Sequence, residues 1–97
     1  MPIFVVNYAY STDEAARDAI RPAHKAFLAE LGRRGTNLCS GPFGPGEAPG
    51  ALILLRADSA EHALRLTEPD PFRTRGVVVE VTAREWVPML GALSAHF

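Results

Sequence analysis

The sequence predicts an α+β fold whose elements follow the order βαββαβ. Three observations lead to this prediction: two helix-start signals, four short apolar runs placed around them, and a chain of 97 residues, which suffices for one core. Hydrophobic residues make up 47% of the chain and charged residues 22%, which is the balance of an ordinary globular protein. We therefore expect a single domain that spans residues 1–97.

The first strand and the first helix follow from consecutive patterns. Residues 3–10 begin with an unbroken apolar run, which is typical of a strand that is covered on both faces. Ser11 and Glu14 form a capping box, so a helix is expected over residues 12–34. Pro22 removes one backbone donor within that helix, which predicts a kink or a division into two helical pieces.

The middle of the chain has the pattern of two strands joined by a loop. Strands are predicted over residues 37–41 and 51–56, and the second of these is apolar without alternation, as central strands are. Between them, residues 41–50 contain four glycines and three prolines and therefore form a loop. A loop of this length often lines a pocket, although it can equally be a passive connection.

The second helix and the last strand complete the order. Asp58 and Glu61 form a second capping box, and the helix that starts at about residue 59 must end near residue 68 because Pro69 disfavours helix in the residue before it. In residues 77–84, one face of the strand is apolar and the other carries polar side chains. This pattern predicts an edge or half-exposed strand.

The arrangement of these elements follows from which strands are central. With the first and third strands in the middle, right-handed crossovers and a hairpin give a four-stranded antiparallel sheet with the order 4-1-3-2, which is that of a ferredoxin-like sandwich with both helices on one face. The other face of the apolar central strands is then uncovered. A second copy of the chain is the simplest cover, so we predict a homodimer through the open sheet face, to which the apolar segment 86–93 could add.

Charge and cysteine content exclude several classes of partner. The formal net charge is −1, so no basic field is present to hold nucleic acid, and the apolar run 50–55 is far too short to span a membrane. The N-terminus has no pattern of a secretory signal, and Cys39 is the only cysteine, which favours a reducing, cytoplasmic location. No histidines or cysteines have metal-ligand spacing, and we predict neither a metal nor another cofactor.

His24 is the titratable residue whose position is most informative. It shares a helical face with Phe27, Leu28 and Leu31, so its imidazole should point toward the sheet rather than into water. A histidine in such a place is more often a hydrogen-bonded core residue than a catalyst, and the alternatives are left open by the pattern alone.

Four short motifs in this chain together resemble the YciI-like (YCII-related) family. The motifs are Arg21-Pro22-Ala23-His24 followed by Phe27-Leu28, then Ser40-Gly41-Pro42, then Asp70-Pro71-Phe72 with Gly76 after it, and finally Trp86. The resemblance implies a ferredoxin-like fold, a dimeric α/β-barrel arrangement, and a His–Asp pair in a cleft as the active site. In this sequence the pair is His24 and Asp70. The family includes a dehydrochlorinase that acts on a chlorinated hydroxyhydroquinone, and it is structurally similar to muconolactone isomerases.

The residues around Asp70 support this pairing independently. Pro69 and Pro71 stiffen the backbone on both sides of Asp70, so its carboxylate is presented from a fixed turn on the side of the sheet that carries the helices. A carboxylate that is bonded to one ring nitrogen fixes the tautomer of His24 and leaves the other nitrogen free to exchange a proton. The alternative is a buried ion pair with a structural role only.

Four further residues are candidates for substrate contacts. Arg21, one turn before His24, could hold an anionic group, although a solvated arginine is the commoner case. Ser40 could donate a hydrogen bond into the pocket or merely stabilise the turn that follows it. Phe43 and Phe72 could be pocket walls and could equally be core residues.

Two functions from different classes are compatible with these features. The first is a small cofactor-independent lyase or isomerase in which His24 moves a proton on a small organic or aromatic-derived acid, with Asp70 orienting the imidazole. The second is a non-catalytic dimer that binds a small metabolite as a sensor or partner module, since one fold hosts both roles. In the second case the His–Asp pair is a ligand clamp or a structural contact.

Overall fold

The computed structural model describes residues 1–97 and contains four strands, two helices of two or more turns and two short helical turns. The strands are β1 (Ile3–Tyr10), β2 (Asn37–Pro42), β3 (Gly50–Arg56) and β4 (Val78–Trp86). The helices are α1 (Glu14–Arg33), α2 (Ala60–Thr67) and the single turn α3 (Pro71–Thr74), and a 3₁₀ turn covers Ser94–His96. The bounds of the strands differ from the predicted ones by at most two residues.

The sheet is fully antiparallel and has the order β2-β3-β1-β4. This is the predicted order 4-1-3-2 counted from the opposite edge, so the ferredoxin-like arrangement is confirmed. The two strands with unbroken apolar runs, β1 and β3, are central and pair with each other, for example at Val6 and Ile53. Both of these side chains are fully buried, which explains why their strands carry no polar alternation.

Both helices begin at a different cap from the one that the capping boxes predicted. The side chain of Asp13 accepts a hydrogen bond from the amide of Ala16 at the start of α1, and Ser59 does the same for the amide of His62 at the start of α2. The predicted caps, Ser11 and Asp58, are therefore wrong. The reason is that a capping side chain must lie directly before the first helical residue, and a second good cap occupied that place in each case.

Pro22 lies inside α1, and the helix runs through it without a break. The prediction of two separate helical pieces is thus not realised. Only one intrahelical bond, to the carbonyl of Asp18, is lost at Pro22, and the remaining turns of a 20-residue helix hold it together. No helix of the protein is both long and apolar enough to cross a membrane.

The core lies between the sheet and the helices. Alternate residues of β1 and β3 point to this side, and they form one apolar cluster with Leu31 of α1 and Ala63 of α2. The members of this cluster from the sheet are Phe4, Val6, Tyr8, Ala51, Ile53 and Leu55. Burial of each large side chain contributes about 1.5–3 kcal/mol to stability, so the helices are fixed to the sheet along its length.

The opposite face of the sheet carries apolar side chains without a helical cover. Val5 and Leu54 are cross-strand partners on this face, and so are Asn7 and the exposed Leu52. The C-terminal segment returns to one end of the face, where Phe97 packs edge-on against Trp86 with ring centroids 5.5 Å apart. The apolar residues of that segment, Val87, Met89, Leu90 and Leu93, are all exposed. The predicted homodimer would cover this face.

Candidate functional site

His24 and Asp70 meet in the core, although 46 positions separate them in the chain. The Nδ1 atom of His24 lies 2.9 Å from each carboxylate oxygen of Asp70. Asp70 is fully buried and His24 is 7% exposed. α1 supplies the histidine from the face that packs on the sheet, while the turn after α2 supplies the aspartate, as the helical spacing and the flanking prolines predicted.

Two more donors saturate the carboxylate of Asp70. The hydroxyl of Tyr8 donates to Oδ2 at 2.8 Å, and the backbone amide of Phe72 donates to Oδ1 at 3.0 Å because Asp70 is the N-cap of α3. Together with His24, three groups of the protein thus contact the oxygens of Asp70 at hydrogen-bond distance. An ionised carboxylate accepts hydrogen bonds and cannot donate one. Nδ1 of His24 must therefore carry a proton in order to bond with it.

The hydroxyl of Tyr8 is held as a donor by its surroundings. Burial raises the pKa of Tyr8 far above its usual value, and the negative charge of Asp70 adds to this effect. Tyr8 comes from the central strand β1 and is 1% exposed, so its hydroxyl has no access to water and needs a partner inside the protein. Asp70 is that partner.

Phe72 fixes the plane of the imidazole. Its ring stacks on that of His24 with centroids 3.9 Å apart and an angle of 8° between the planes. Stacking on one face and the single N–H at Nδ1, shared between both oxygens of Asp70, hold the ring of His24 in this orientation. The second ring nitrogen, Nε2, makes no hydrogen bond to the protein. Among the buried side-chain nitrogens and oxygens, only Oδ1 of Asn37 lacks a hydrogen-bond partner, so Nε2 is not a buried atom. Nε2 is therefore reached by solvent.

A cleft of about 490 Å³ opens beside His24. One wall is the face of α1 that runs from Arg21 to Gly32, the other is formed by residues 40–42 of β2, and Phe72 lies at the end near His24. The volume lies within the range of about 300–1,000 Å³ that is typical of small-molecule sites. His24 is thus both bonded to a buried carboxylate and open to a cavity in which a small molecule fits.

Ser40 lines the cleft, and its Oγ atom already accepts one hydrogen bond. The amide nitrogen of Asn37 donates to the Oγ atom of Ser40 at 3.0 Å and to the carbonyl oxygen of Leu28 at 3.2 Å. Because Asn37 occupies an acceptor site of Ser40, the hydroxyl proton of Ser40 is left for another acceptor. Asn37 itself also lines the cleft. The hydroxyl of Ser40 can therefore donate to an oxygen of a molecule in the cleft.

Two cationic side chains lie on the rim of the cleft, Arg21 and Lys25. Arg21 forms an ion pair with Asp18 at 2.5 Å, and the two side chains are 40% and 62% exposed. Such an exposed pair is worth about 0–1 kcal/mol, so Arg21 can exchange Asp18 for a bound anion. Lys25 has no ion-pair partner and is the only lysine of the chain. The rim is thus suited to an anionic group.

Tyr10 adds an aromatic edge to the same cleft. Its ring meets that of Phe72 at 79° with centroids 5.2 Å apart. Burial and the charge of Asp70 raise the pKa of Tyr10 to about 12, although Arg21 and Arg17 act in the opposite direction. The phenol is consequently neutral at physiological pH, and it can donate a hydrogen bond but cannot act as a base there.

The structure brings four of the six predicted site residues to the cleft and places a fifth directly behind it. Arg21, His24, Ser40 and Phe72 line the cavity, and Asp70 lies beneath His24. Phe43 is not part of the lining. It is 40% exposed, and its ring lies 3.2 Å from the place that a Cβ atom on Gly50 would take. The extended conformation of β2 carries it past the end of the cleft.

Sequence reasoning missed Tyr8, Lys25 and Asn37. Tyr8 could have been found from strand alternation, because it shares the face of Phe4 and Val6, and a buried phenol requires a polar partner. Lys25 and Asn37 gave no signal of this kind. No group of three or more histidine, cysteine, aspartate or glutamate residues is arranged to hold a metal ion.

Comparisons with known proteins identify the family of this chain and a solved structure with a similar fold. The sequence model of a family described as the YCII-related domain matches residues 1–87. Among solved structures, the fold is similar to that of the 5-chloro-2-hydroxyhydroquinone dehydrochlorinase of Burkholderia phenoliruptrix AC1100 in complex with 2,5-dihydroxybenzoquinone. That similarity has a TM-score of 0.71 at 20% sequence identity and covers 87% of this chain and 92% of the other. No curated protein matches the sequence significantly.

Proposed function

We infer that this chain, which belongs to the YCII-related family, is a cofactor-independent enzyme of the lyase or isomerase type that transfers a proton on a small organic acid with His24. The observation that carries the proposal is the asymmetry of the imidazole. Its Nδ1 is bonded to the buried carboxylate of Asp70, while its Nε2 has no protein partner and belongs to the wall of a cleft. This is the arrangement of a general base with its orienting group.

The chemistry proposed for the pair is one proton removed and one returned. Nε2 of His24 accepts a proton from a C–H group next to a carbonyl of the substrate. The electron pair of the broken C–H bond forms an enolate, or it forms a double bond while the bond to a leaving group on the neighbouring carbon breaks. The imidazolium that results is stabilised by the negative charge of Asp70. It then gives its proton to another atom of the substrate or to a leaving group. A positioned general base contributes about 10²–10⁴-fold to the rate.

Substrate contacts are proposed from the rest of the lining. The hydroxyl of Ser40 donates to a substrate oxygen, Arg21 and Lys25 hold an anionic group, and Phe72 supplies a flat wall next to the imidazole. The dehydrochlorinase with a similar fold was solved with a dihydroxybenzoquinone, which agrees with a small, planar, oxygen-rich substrate. Phe43 stays a prediction, since a ligand contact would require it to approach the end of the cleft.

A non-catalytic binding module is the alternative. The feature that favours it is the lack of a nucleophile next to His24, together with a hydrogen-bond network at Asp70 that would also serve to stiffen a binding site. In that case the cleft binds a small acid and His24 is only a contact.

Exchange with deuterium separates the two functions without a known natural substrate. Hydroxyquinones and carbonyl-bearing carboxylic acids would be incubated with the protein in D₂O, and the loss of carbon-bound protons would be followed by NMR. We expect the exchange of at least one compound to be faster than in buffer, and to be lost in His24→Gln. His62→Gln is the matched control, because His62 lies on α2, contacts Asp58 and does not line the cleft. Binding without exchange would favour the alternative.

The homodimer and the cytoplasmic location belong to the same proposal. Support for the dimer comes from the exposed Leu52 on the sheet face that no helix covers, and support for the location comes from the single, free Cys39. We also propose that residues 88–97, beyond the part matched by the family, belong to the same domain, because Phe97 packs on Trp86.

Sedimentation tests the dimer. The wild-type protein is expected to sediment as a dimer, and Leu52→Glu as a monomer, because a charge in a sheet-to-sheet interface is left without a partner. Ala26→Glu is the control, since Ala26 is exposed on α1. A wild-type monomer at micromolar concentration would exclude the proposed assembly.

A further inference from the structure

The two tyrosines of the chain lie on the same face of β1 but have opposite surroundings. Tyr8 and Tyr10 both pack on the helix side of the sheet. The hydroxyl of Tyr8 is bonded to Asp70. The hydroxyl of Tyr10 makes no hydrogen bond to the protein, and it is reached by solvent, because the one buried side-chain nitrogen or oxygen without a partner belongs to Asn37. The proton of the Tyr10 phenol is therefore free for a bound molecule.

The ring of Tyr10 is held at the end of the cleft where His24 lies. Its backbone amide donates to the carbonyl oxygen of Pro49 at 3.0 Å. Its ring packs edge-on against Phe72, whose own ring is stacked on that of His24, and all three rings line the cleft. Since the pKa of Tyr10 is raised to about 12, mainly by burial, the phenol keeps its proton at neutral pH. A fixed, protonated donor thus stands beside the imidazole.

Arg21 brings a positive charge to the same phenol from α1. The charges of Arg21 and Arg17 both lower the pKa of Tyr10 against the effect of burial, so both guanidinium groups lie near its ring. Arg17 is bonded to the carbonyl oxygen of Ser11 and does not line the cleft, whereas Arg21 does. Asp18 contacts one terminal nitrogen of Arg21. The remaining N–H groups of Arg21 can therefore donate to an anion in the cleft.

We propose that Tyr10 and Arg21 together form the subsite for the acid group of the ligand, in which the phenol donates to one oxygen and the guanidinium to the other. An ionised carboxylate has acceptor sites on both oxygens and can take both donors at once. The inference rests on the proposed function in one respect, that the cleft binds the small organic acid on which His24 acts. It adds the direction of this acid, since an acid group held by Tyr10 leaves the rest of the molecule to lie along the wall that carries His24.

Benzoate and benzamide test the subsite, because they have the same shape and differ in charge. The affinity of each would be measured by calorimetry. We expect the wild-type protein to bind benzoate about tenfold more tightly than benzamide or better, since hydrogen bonds to a charged group are about twice as strong as neutral ones. Tyr10→Phe keeps the ring and removes the donor, and it should weaken benzoate binding by about tenfold. Arg21→Gln should weaken it by about threefold to fivefold, because Arg21 is 40% exposed.

Thr12→Val and Arg65→Gln are the matched controls, because they remove an exposed hydroxyl and an exposed guanidinium outside the cleft. Both should keep the wild-type affinity for benzoate. A wild-type protein that fails to bind benzoate or does not prefer it to benzamide, or a Tyr10→Phe protein that binds benzoate as tightly as the wild type, would overturn the subsite. Deuterium exchange that depends on His24 would in that case leave the proposed function intact. Conversely, benzoate binding that depends on Tyr10, without exchange of any compound, would leave the subsite and remove the catalytic role of His24.

Discussion

Replacement of Asp70 by asparagine changes the charge beneath His24 with almost no change in shape. An asparagine oxygen at the place of Oδ1 still accepts from the amide of Phe72. The amide nitrogen then faces the hydroxyl of Tyr8 and Nδ1 of His24, which are both donors in the wild-type protein. A phenol oxygen and an imidazole nitrogen can also accept, so both partners can adapt. Nδ1 of His24 also lies 2.9 Å from the place of that oxygen, but both protons of the new amide group need acceptors, and we therefore expect His24 to move its proton from Nδ1 to Nε2.

The stability change follows from the bonds that lose their charge. In the wild-type protein the contacts of Oδ2 with Tyr8 and His24 are charge-assisted. A bond to a charged group is worth about 1.5–3 kcal/mol and a neutral one about 0.5–1.5 kcal/mol, so each of the two loses about 1 kcal/mol or slightly more. Asp70→Asn should therefore lower the free energy of unfolding by about 2–3 kcal/mol, which a domain of this size survives.

Activity should fall by far more than stability. With the proton on Nε2, His24 donates into the cleft and cannot accept, so the whole contribution of the base, about 10²–10⁴-fold, is lost. The same exchange of aspartate for asparagine in a serine protease triad lowers kcat by about 10⁴-fold through the wrong tautomer.

Nitrogen-15 NMR of the imidazole reports the tautomer directly and needs no substrate. The wild-type spectrum should show a protonated Nδ1 at His24 and Asp70→Asn a protonated Nε2, while His62 and His96 serve as internal references whose signals stay in place. Urea unfolding would supply the stability difference. A proton that stays on Nδ1 of His24 in Asp70→Asn would refute the reasoning, because the carboxylate would then not be what fixes the tautomer.

Three further predictions concern the network and the cleft. Tyr8→Phe should lower the free energy of unfolding in urea by about 1.5–3 kcal/mol, because Asp70 loses one charge-assisted bond, and an unchanged midpoint would mean that the bond is absent in solution. The pKa values of Tyr8 and Tyr10 in the folded protein are raised above the usual 10.0. As the pH rises, the two phenols therefore lose their protons in the unfolded chain before they do so in the folded one. The free energy of unfolding keeps its full value below pH 10 and falls as the pH rises through 10 toward 12. Phenolate absorbance should accordingly stay low in the folded protein at pH 10, and ionisation of half the tyrosines there would contradict the burial of both rings. Gly32→Ala should raise the thermal midpoint, since alanine is favoured over glycine in a helix by up to about 1 kcal/mol, and a lower midpoint would show that the cleft wall does need glycine for packing.

The arrangement of the sheet was predictable because burial leaves a local pattern. Strands β1 and β3 are apolar on both sides, and this alone placed them in the centre. The helix caps were less predictable, since Asp13 and Ser59 compete with neighbours of equal capping ability within two residues. Which of them caps depends on where the helix docks on the sheet, and that is not a local property.

The inward direction of His24 followed from helical spacing, and the resemblance to a family identified Asp70 as its partner. By itself, therefore, the sequence determined the strand order, the face of α1 that meets the sheet and the rigid turn between two prolines. Only the tertiary structure decided that Tyr8, 62 positions from Asp70, completes the network, and that Lys25, Asn37 and Gly32 border one cleft. The physical reason is that hydrogen bonds and cavities join residues that are distant along the chain, and periodicity carries information only about neighbours.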